Sequence, residues 1–144
     1  MKVRELMSQN VVKVNNDDSI QRVAELMKEN NIGIIPVEKD GKLSGIITDR
    51  DITLRCVAQG NNPDMVKTEL IMTTTPLISI SPEHSVIEAA RIMAREQVRR
   101  LPVCEDGRIV GMLSLGDLAR AKKMFAETAS AFCDICDTRK DEND

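Results

Sequence analysis

The sequence predicts a mixed α/β (α+β) protein built from two β-α-β-β-α repeats packed about a pseudo-twofold axis, with an extended C-terminal helix. Three observations predict it. First, Ser19, Ala24, Met27, Pro36, Val37, Gly41, Gly45 and Asp51 recur 66 residues later as Ser85, Ala90, Met93, Pro102, Val103, Gly107, Gly111 and Asp117. A duplicated unit of this length fixes the architecture before any single element is assigned. Second, each copy moves from helical spacing to two short β-rich runs joined by Asp-Gly. Third, each copy ends in one seven-residue pattern, Gly45-Ile46-Ile47-Thr48-Asp49-Arg50-Asp51 and Gly111-Met112-Leu113-Ser114-Leu115-Gly116-Asp117. Met7 and Met72 lie only 65 apart, so the copies differ by one residue in the segment between this Met and the capping Ser. The organisation is therefore repeat 1 at 1–63, repeat 2 at 64–123, and a helix extension with a charged tail, expected to be disordered, at 124–144.

Residues 2 to 7 suggest a short helix or turn leading in. Val11-Val12-Lys13-Val14 is β-branched enough for a short strand. Ser19 or Asp18 caps a helix whose apolar positions Ile20, Val23, Ala24 and Met27 follow i, i+3, i+4, i+7, and Asn30-Asn31 and Gly33 end it. Ile34-Ile35-Pro36-Val37-Glu38 reads as a buried strand, with Pro36 where no ladder N–H is needed. Asp40-Gly41 is a strong hairpin signal, and Leu43 to Ile47 is the returning strand. Thr48 opens a helix over about 49–59, which Gly60-Asn61-Asn62-Pro63 breaks. The second copy runs likewise: a strand from Leu77 to Ile80, a Ser85-x-x-Glu88 capping box, an apolar face of Val86, Ala89, Ala90 and Met93, then Leu101–Cys104, Asp106-Gly107 and Ile109–Leu113. Its last helix should be longer, because Leu118, Ala121, Phe125, Ala129 and Phe132 keep helical spacing. Such an apolar stripe beyond the repeat calls for a partner surface, and a homodimer contact is expected in preference to packing on the same chain.

Composition excludes several functions. The only aromatics are Phe125 and Phe132, so the core is aliphatic, rich in Ile, Val and Leu with eight Met, and a flat base would lie between aliphatic side chains. Without aromatic platforms, single-stranded nucleic acid binding is disfavoured. A net charge of −3 gives no general attraction to DNA, RNA or acidic membranes. No apolar run approaches the roughly 20 residues of a membrane span, and the N-terminus lacks a signal-peptide core, so a cytoplasmic location is expected. Four cysteines in a reducing compartment are no disulfide framework. With His84 as the only histidine, no acid–base constellation can be named, and no enzyme is expected.

The terminal pattern has two readings. In one, Thr48 and Ser114 cap a helix while Asp51 and Asp117, three residues on, accept from the cap's own N–H. In the other, the strand–helix junction is also a nucleotide cradle, whose hydroxyl and carboxylate bind phosphate and sugar. On local pattern the first is the commoner, and duplication raises the odds of the second.

Together, two β-α-β-β-α units, an apolar-apolar-Pro-Val strand, an Asp-Gly hairpin and Gly-apolar-apolar-Thr/Ser-x-x-Asp resemble the cystathionine-β-synthase (CBS) domain. A tandem pair of these is called a Bateman module. The resemblance spans residues 1 to about 123 and includes the runs Thr48-Asp-Arg-Asp-Ile52 and Arg99-Arg-Leu-Pro-Val103. It implies a non-enzymatic regulatory module that needs no cofactor and binds AMP, ADP, ATP or a related adenosyl compound in clefts between the repeats. By the same resemblance Asp51 and Asp117 take ribose hydroxyls, and Thr48 and Ser114 contact phosphate. The adenine lies against Val12, Val14, Ile34, Ile35 and Pro36, and against Leu77, Ile78, Leu101 and Pro102. Basic residues before the second apolar-Pro strand, Arg99 and Arg100, reach phosphate, and Arg50 compensates in the first copy, where the matching positions are Gly33 and Ile34. Against this, Arg91, Arg95, Arg99 and Arg100 could be a solvated helix face paired with Glu88 and Glu96.

Cys133-Asp-Ile-Cys136 falls outside the family pattern. Its spacing suits a metal, although structural zinc wants four ligands, which a dimer could assemble from two pairs. Cys56 and Cys104 read as small buried residues. The functional expectation is an adenosine-ligand sensor acting on an unidentified effector protein. The alternatives are a ligand-free interaction scaffold and a thiol or metal sensor using Cys133 and Cys136.

Overall fold

The computed structural model describes residues 1–121, 129 and 131–137 of the 144. The chain forms two compact units whose membership does not follow chain order. The repeat-1 unit comprises Val12–Leu77 with the hairpin tip Gly107–Ile109. The repeat-2 unit comprises Met1–Val11, Ile78–Asp106 and the described residues from Val110 on. Each unit thus takes the segment leading into the other repeat.

In the repeat-1 unit, β1 (Val14–Asn15) runs parallel to β2 (Ile34–Lys39), which pairs antiparallel with β3 (Lys42–Thr48). The strand expected at 11–14 begins only at Val14. The N–H of Val11 turns back to the Gln9 carbonyl at 3.1 Å, and Val14 is the first residue both buried and opposite a partner, Val37. Helix α2 (Ile20–Asn30) is capped by Ser19, whose Oγ accepts the Arg22 N–H at 3.1 Å, and ends at Asn31 in the left-handed region. Its Ile20, Val23 and Met27 pack with Ile35, Val37, Ile47, Cys56 and Ile71. The Asp40-Gly41 turn has φ of 53° and 78°, the double positive φ of a two-residue hairpin. Thr48 opens α3 (Asp49–Ile52), which continues as a π turn, Thr53–Val57, so the expected 49–59 helix is present in two geometries.

In the repeat-2 unit, α1 (Val3–Leu6) leads in, α4 (Val86–Glu96) spans the middle, and β4 (Arg100–Glu105) and β5 (Arg108–Ser114) form the hairpin before α5 (Leu115–Arg120). Val3, Val86, Ala89, Met93, Leu101, Val103, Leu113 and Leu118 are wholly buried in one aliphatic core. The strand expected from Leu77 to Ile80 reduces to one parallel bridge, Ile80 with Val103, because Leu77 and Ser79 are exposed. Ser85 caps α4 by accepting the Glu88 N–H at 3.1 Å. The carboxylate of Glu88 lies 3.9 Å from His84 Nε2, and the reciprocal half of the predicted capping box is not made.

The single long helix expected from the stripe of Leu118, Ala121, Phe125, Ala129 and Phe132 is interrupted. Helix α5 stops at Arg120, and Ala121 is extended, with φ −85° and ψ 102°. Residues 131–137 are helical again and bury Ala131 and Ile135 in the same core as Leu118. In one straight helix, Ala131 and Ile135 would point roughly 100° away from the stripe, so a break lets both stretches face one core. Phe132 is exposed, while Phe125 and the tail at 138–144 fall outside the described residues.

The lead-in of the repeat-2 unit is fastened at its start. The Val3 N–H donates to the His84 carbonyl at 2.8 Å, Lys2 Nζ sits 2.7 Å from Glu83 Oε2, and Arg4 pairs with Glu83 Oε1. The two cations hold the Glu83 carboxyl down to about 2, with the Lys2 hydrogen bond the largest cause. A depressed carboxyl stabilises the fold above its unfolded value of about 4.3 and loses that contribution as pH falls towards its folded value. Glu83→Gln is therefore expected to melt below the wild type at pH 7. The gap should narrow between pH 4.5 and 2 in thermal melts, and a gap unchanged over that range would contradict the assignment.

Candidate functional site

Both terminal motifs adopt the same local geometry, and hydrogen bonding dictates it. The Ser114 Oγ accepts the Asp117 N–H at 3.0 Å while Asp117 Oδ2 accepts the Ser114 N–H at 2.8 Å. Thr48 and Asp51 do the same at 3.1 and 3.0 Å. This reciprocal box satisfies two helix-end donors and locks each carboxylate against its strand–helix junction. The start of the neighbouring strand is held there too: the Leu115 N–H donates to the Arg99 carbonyl at 2.8 Å, and the Asp49 N–H to the Gly33 carbonyl at 2.9 Å.

A lead-in segment completes each junction. Ser8 bridges Met112 in the repeat-2 unit, and Thr73 bridges Ile46 in the repeat-1 unit. The crossing requires glycine. A Cβ on Gly111 would lie 2.7 Å from Met7 Sδ and 3.0 Å from the Ser8 carbonyl oxygen, and one on Gly45 would lie 2.6 Å from Met72 Sδ. The glycine of the motif is thus the point where backbone meets backbone.

In the repeat-2 unit these elements border an open cavity of about 590 Å³, within the range of small-ligand sites. Ser8 and Met112 line one side, Ser114, Leu115, Gly116 and Asp117 the junction, and Arg99, Arg100 and Arg120 the remainder. Three guanidiniums against one carboxylate make it an anion-accepting space. Arg99 and Arg100 are exposed, and neither has an ion-pair partner among the described residues, whereas Arg120 pairs with Asp117 Oδ1. Of the solvated face given as the alternative, Arg95 pairs with Glu96 at 3.1 Å, while Arg99 and Arg100 lie beyond the end of α4 at Glu96.

The repeat-1 junction is built differently. Asp51 is buried, its Oδ1 lies 3.8 Å from Arg55 Nε, and the Thr73 hydroxyl stands 3.4 Å from Oδ2. Arg55 also donates to the Ile71 carbonyl at 3.0 Å. The Asp49 carboxylate presses on Gly33, 2.8 Å from where a Cβ would be, in the place matching Arg99 of repeat 2. Arg50 is exposed and forms no ion pair among the described residues.

Of the residues singled out from sequence, the structure brings Arg99, Arg100, Ser114 and Asp117 together around the cavity. Leu101 and Pro102 are buried and do not line it, Ile78 packs on the core, and Leu77 is exposed and belongs to the repeat-1 unit. In repeat 1, Thr48 and Asp51 form the junction, Val14, Ile35 and Pro36 are buried, and Val12 and Ile34 are half-buried. Ser8, Thr73, Arg55 and Arg120 were not foreseen. Asp117-x-x-Arg120 is a legible i, i+3 pair, whereas Ser8 and Thr73 arrive only through lead-in segments that cross to the other unit. Cys133 is exposed and Cys136 half-buried, and the described residues gather no group of three or more His, Cys, Asp or Glu. Cys56 is buried, and burial pushes the half-buried Cys104 thiol up.

With this geometry established, similarity to known proteins decides the family. The CBS domain profile matches residues 3–57 and 66–123. The chain belongs to the CBS domain family. It carries two CBS domains in tandem, and pairs of this kind are regulatory, non-enzymatic modules. The CBS domain-containing protein YhcV of Bacillus subtilis is 39% identical over 133 residues, covering 92% of this chain and 94% of its own length. Among solved structures, Hypoxic Response Protein I with two coordinated zinc ions matches with a TM-score of 0.77 and 30% identity, over 84% of this chain and 98% of that one. The CBS domain pair of MJ0100, in complex with 5′-methylthioadenosine and S-adenosyl-L-methionine, matches with a TM-score of 0.72 and 29% identity, over 83% and 94%. No helix among the described residues is long and apolar enough to cross a membrane.

The crossing at Gly111 carries its own test. Gly111→Ala must displace Met7 or the Ser8 backbone, and overpacking of this kind costs about 1–3 kcal/mol. Urea denaturation should show a loss of that order, and Met7→Ala in the same chain should recover part of it. Full stability in Gly111→Ala would contradict the close approach.

Proposed function

We propose that this CBS pair is a regulatory sensor, not an enzyme, that binds an adenosine-containing ligand, with the repeat-2 cavity as the main site. The observation that carries the reading is the cavity itself: a fixed carboxylate in its lining, and beside it two exposed guanidiniums without carboxylate partners among the described residues. In this reading Asp117 accepts from the ribose hydroxyls, and Ser114, Arg99 and Arg100 face the phosphate, for which paired N–H donors of arginine are well suited. The complex of MJ0100 with two adenosyl compounds supports the class of ligand. At the repeat-1 junction Asp51 is already engaged by Arg55 and Thr73, Gly33 replaces the basic Arg99, and the Asp49 carboxylate lies against that glycine, so this site disfavours phosphate.

A ligand regulates only by binding one arrangement of the protein better than another. The partner that responds is a separate effector protein, and the chain acts as a homodimer in the cytoplasm, with the exposed Phe132 as one candidate contact. The reading is tested by calorimetric titration with AMP, ADP, ATP and S-adenosylmethionine. Asp117→Asn keeps an oxygen for the Ser114 N–H but loses the charge, and is expected to remain folded while weakening AMP by about ten-fold or more, the value of a charge-assisted hydrogen bond. Asp51→Asn should change AMP affinity little. Binding lost in Asp51→Asn and retained in Asp117→Asn would move the site to repeat 1, and silence towards all four ligands would refute the sensor reading.

A further inference from the structure

Arg120 occupies an unusual position. The carboxylate of Asp117, which lines the cavity, has two oxygens: Oδ2 is committed to the Ser114 N–H as part of the helix cap, so Oδ1 is the oxygen left for another partner. That oxygen carries the guanidinium of Arg120, whose side chain is otherwise exposed and which also lines the cavity. Repeat 1 has Leu54 at the matching position, and there the next residue, Arg55, stands 3.8 Å from Asp51 Oδ1 while also donating to the Ile71 carbonyl. Arg99 and Arg100 share the cavity but touch neither oxygen of Asp117.

We propose that Arg120 is a specificity-determining latch: it holds Asp117 Oδ1 in the free cavity and transfers to the phosphate of an incoming nucleotide, so that the site accepts phosphorylated nucleosides and rejects unphosphorylated ones. The inference rests on the reading that Asp117 receives the ribose. A ribose hydroxyl reaching Oδ1 must displace or share a charged N–H donor, and a charge-assisted hydrogen bond is about twice as strong as the neutral one that replaces it. A neutral nucleoside offers the displaced guanidinium nothing. A phosphate group in the same cavity offers it two acceptor oxygens in the planar geometry that guanidinium matches. The exchange then costs little for a nucleotide, whereas with a neutral nucleoside the guanidinium returns to water and its bond to Asp117 is lost without a replacement.

Removing the latch should therefore move two affinities in opposite directions. In calorimetric titrations of the full chain, Arg120→Ala is expected to weaken AMP by about ten-fold, the value of one charge-assisted bond, and to tighten adenosine several-fold. Arg100→Ala should weaken AMP and leave adenosine unchanged, which separates a plain phosphate contact from a latch. Arg120 is exposed, so the variant should fold, and a thermal melt alongside verifies it. Equal shifts for AMP and adenosine in Arg120→Ala, or weaker adenosine binding, would overturn the latch while Asp117→Asn still losing AMP would leave the nucleotide site standing. Wild-type protein that binds neither compound would overturn both.

Discussion

The reciprocal hydrogen bonds between Ser114 and Asp117, and between Thr48 and Asp51, are the constraint on which the rest depends. Each serves two purposes with the same atoms. As a cap it stops the strand, starts the helix and satisfies donors that would otherwise be orphaned. As a clamp it fixes a carboxylate to within one hydrogen bond of the backbone, so that the remaining oxygen has a defined direction. A binding group held by its own secondary structure needs no separate scaffolding, and little entropy remains to be lost when a ligand arrives. The two readings of the motif, cap and cradle, are therefore not rivals: the cap supplies the preorganisation that a cradle would use.

Around that constraint the two copies have diverged in charge. At the repeat-2 junction Arg99, Arg100 and Arg120 surround one carboxylate. At the repeat-1 junction two carboxylates stand close together, and Arg55 is spent on Asp51 and on the Ile71 carbonyl. One backbone design thus presents two electrostatic surfaces, and changes at Gly33, Asp49, Leu54 and Arg55 against Arg99, Leu115, Arg120 and Ala121 account for the difference.

Much of this was legible in the sequence, for identifiable reasons. The interval between copies, the helical spacing of Ile20, Val23 and Met27, and the double positive φ at Asp40-Gly41 and Asp106-Gly107 follow from local chemistry, and the chain adopts them. Strand length was not legible at Val11–Val14 or Leu77–Ile80, because pairing there depends on which residues find a partner strand, a non-local matter. The break at Ala121 was hidden because apolar spacing continues through it; only the burial of Ala131 and Ile135 shows that two stretches must face one core. The crossing of each lead-in to the other unit, which delivers Ser8 and Thr73, leaves no mark beyond the glycine at Gly45 and Gly111.

The most direct test of the central claim is a crystal structure of the protein grown with AMP. The account predicts the nucleotide in the repeat-2 cavity, its ribose hydroxyls within hydrogen-bonding distance of Asp117 Oδ1 and its phosphate beside Arg99 and Arg100. Nucleotide bound elsewhere with that cavity free, or a ribose directed away from Asp117, would contradict it.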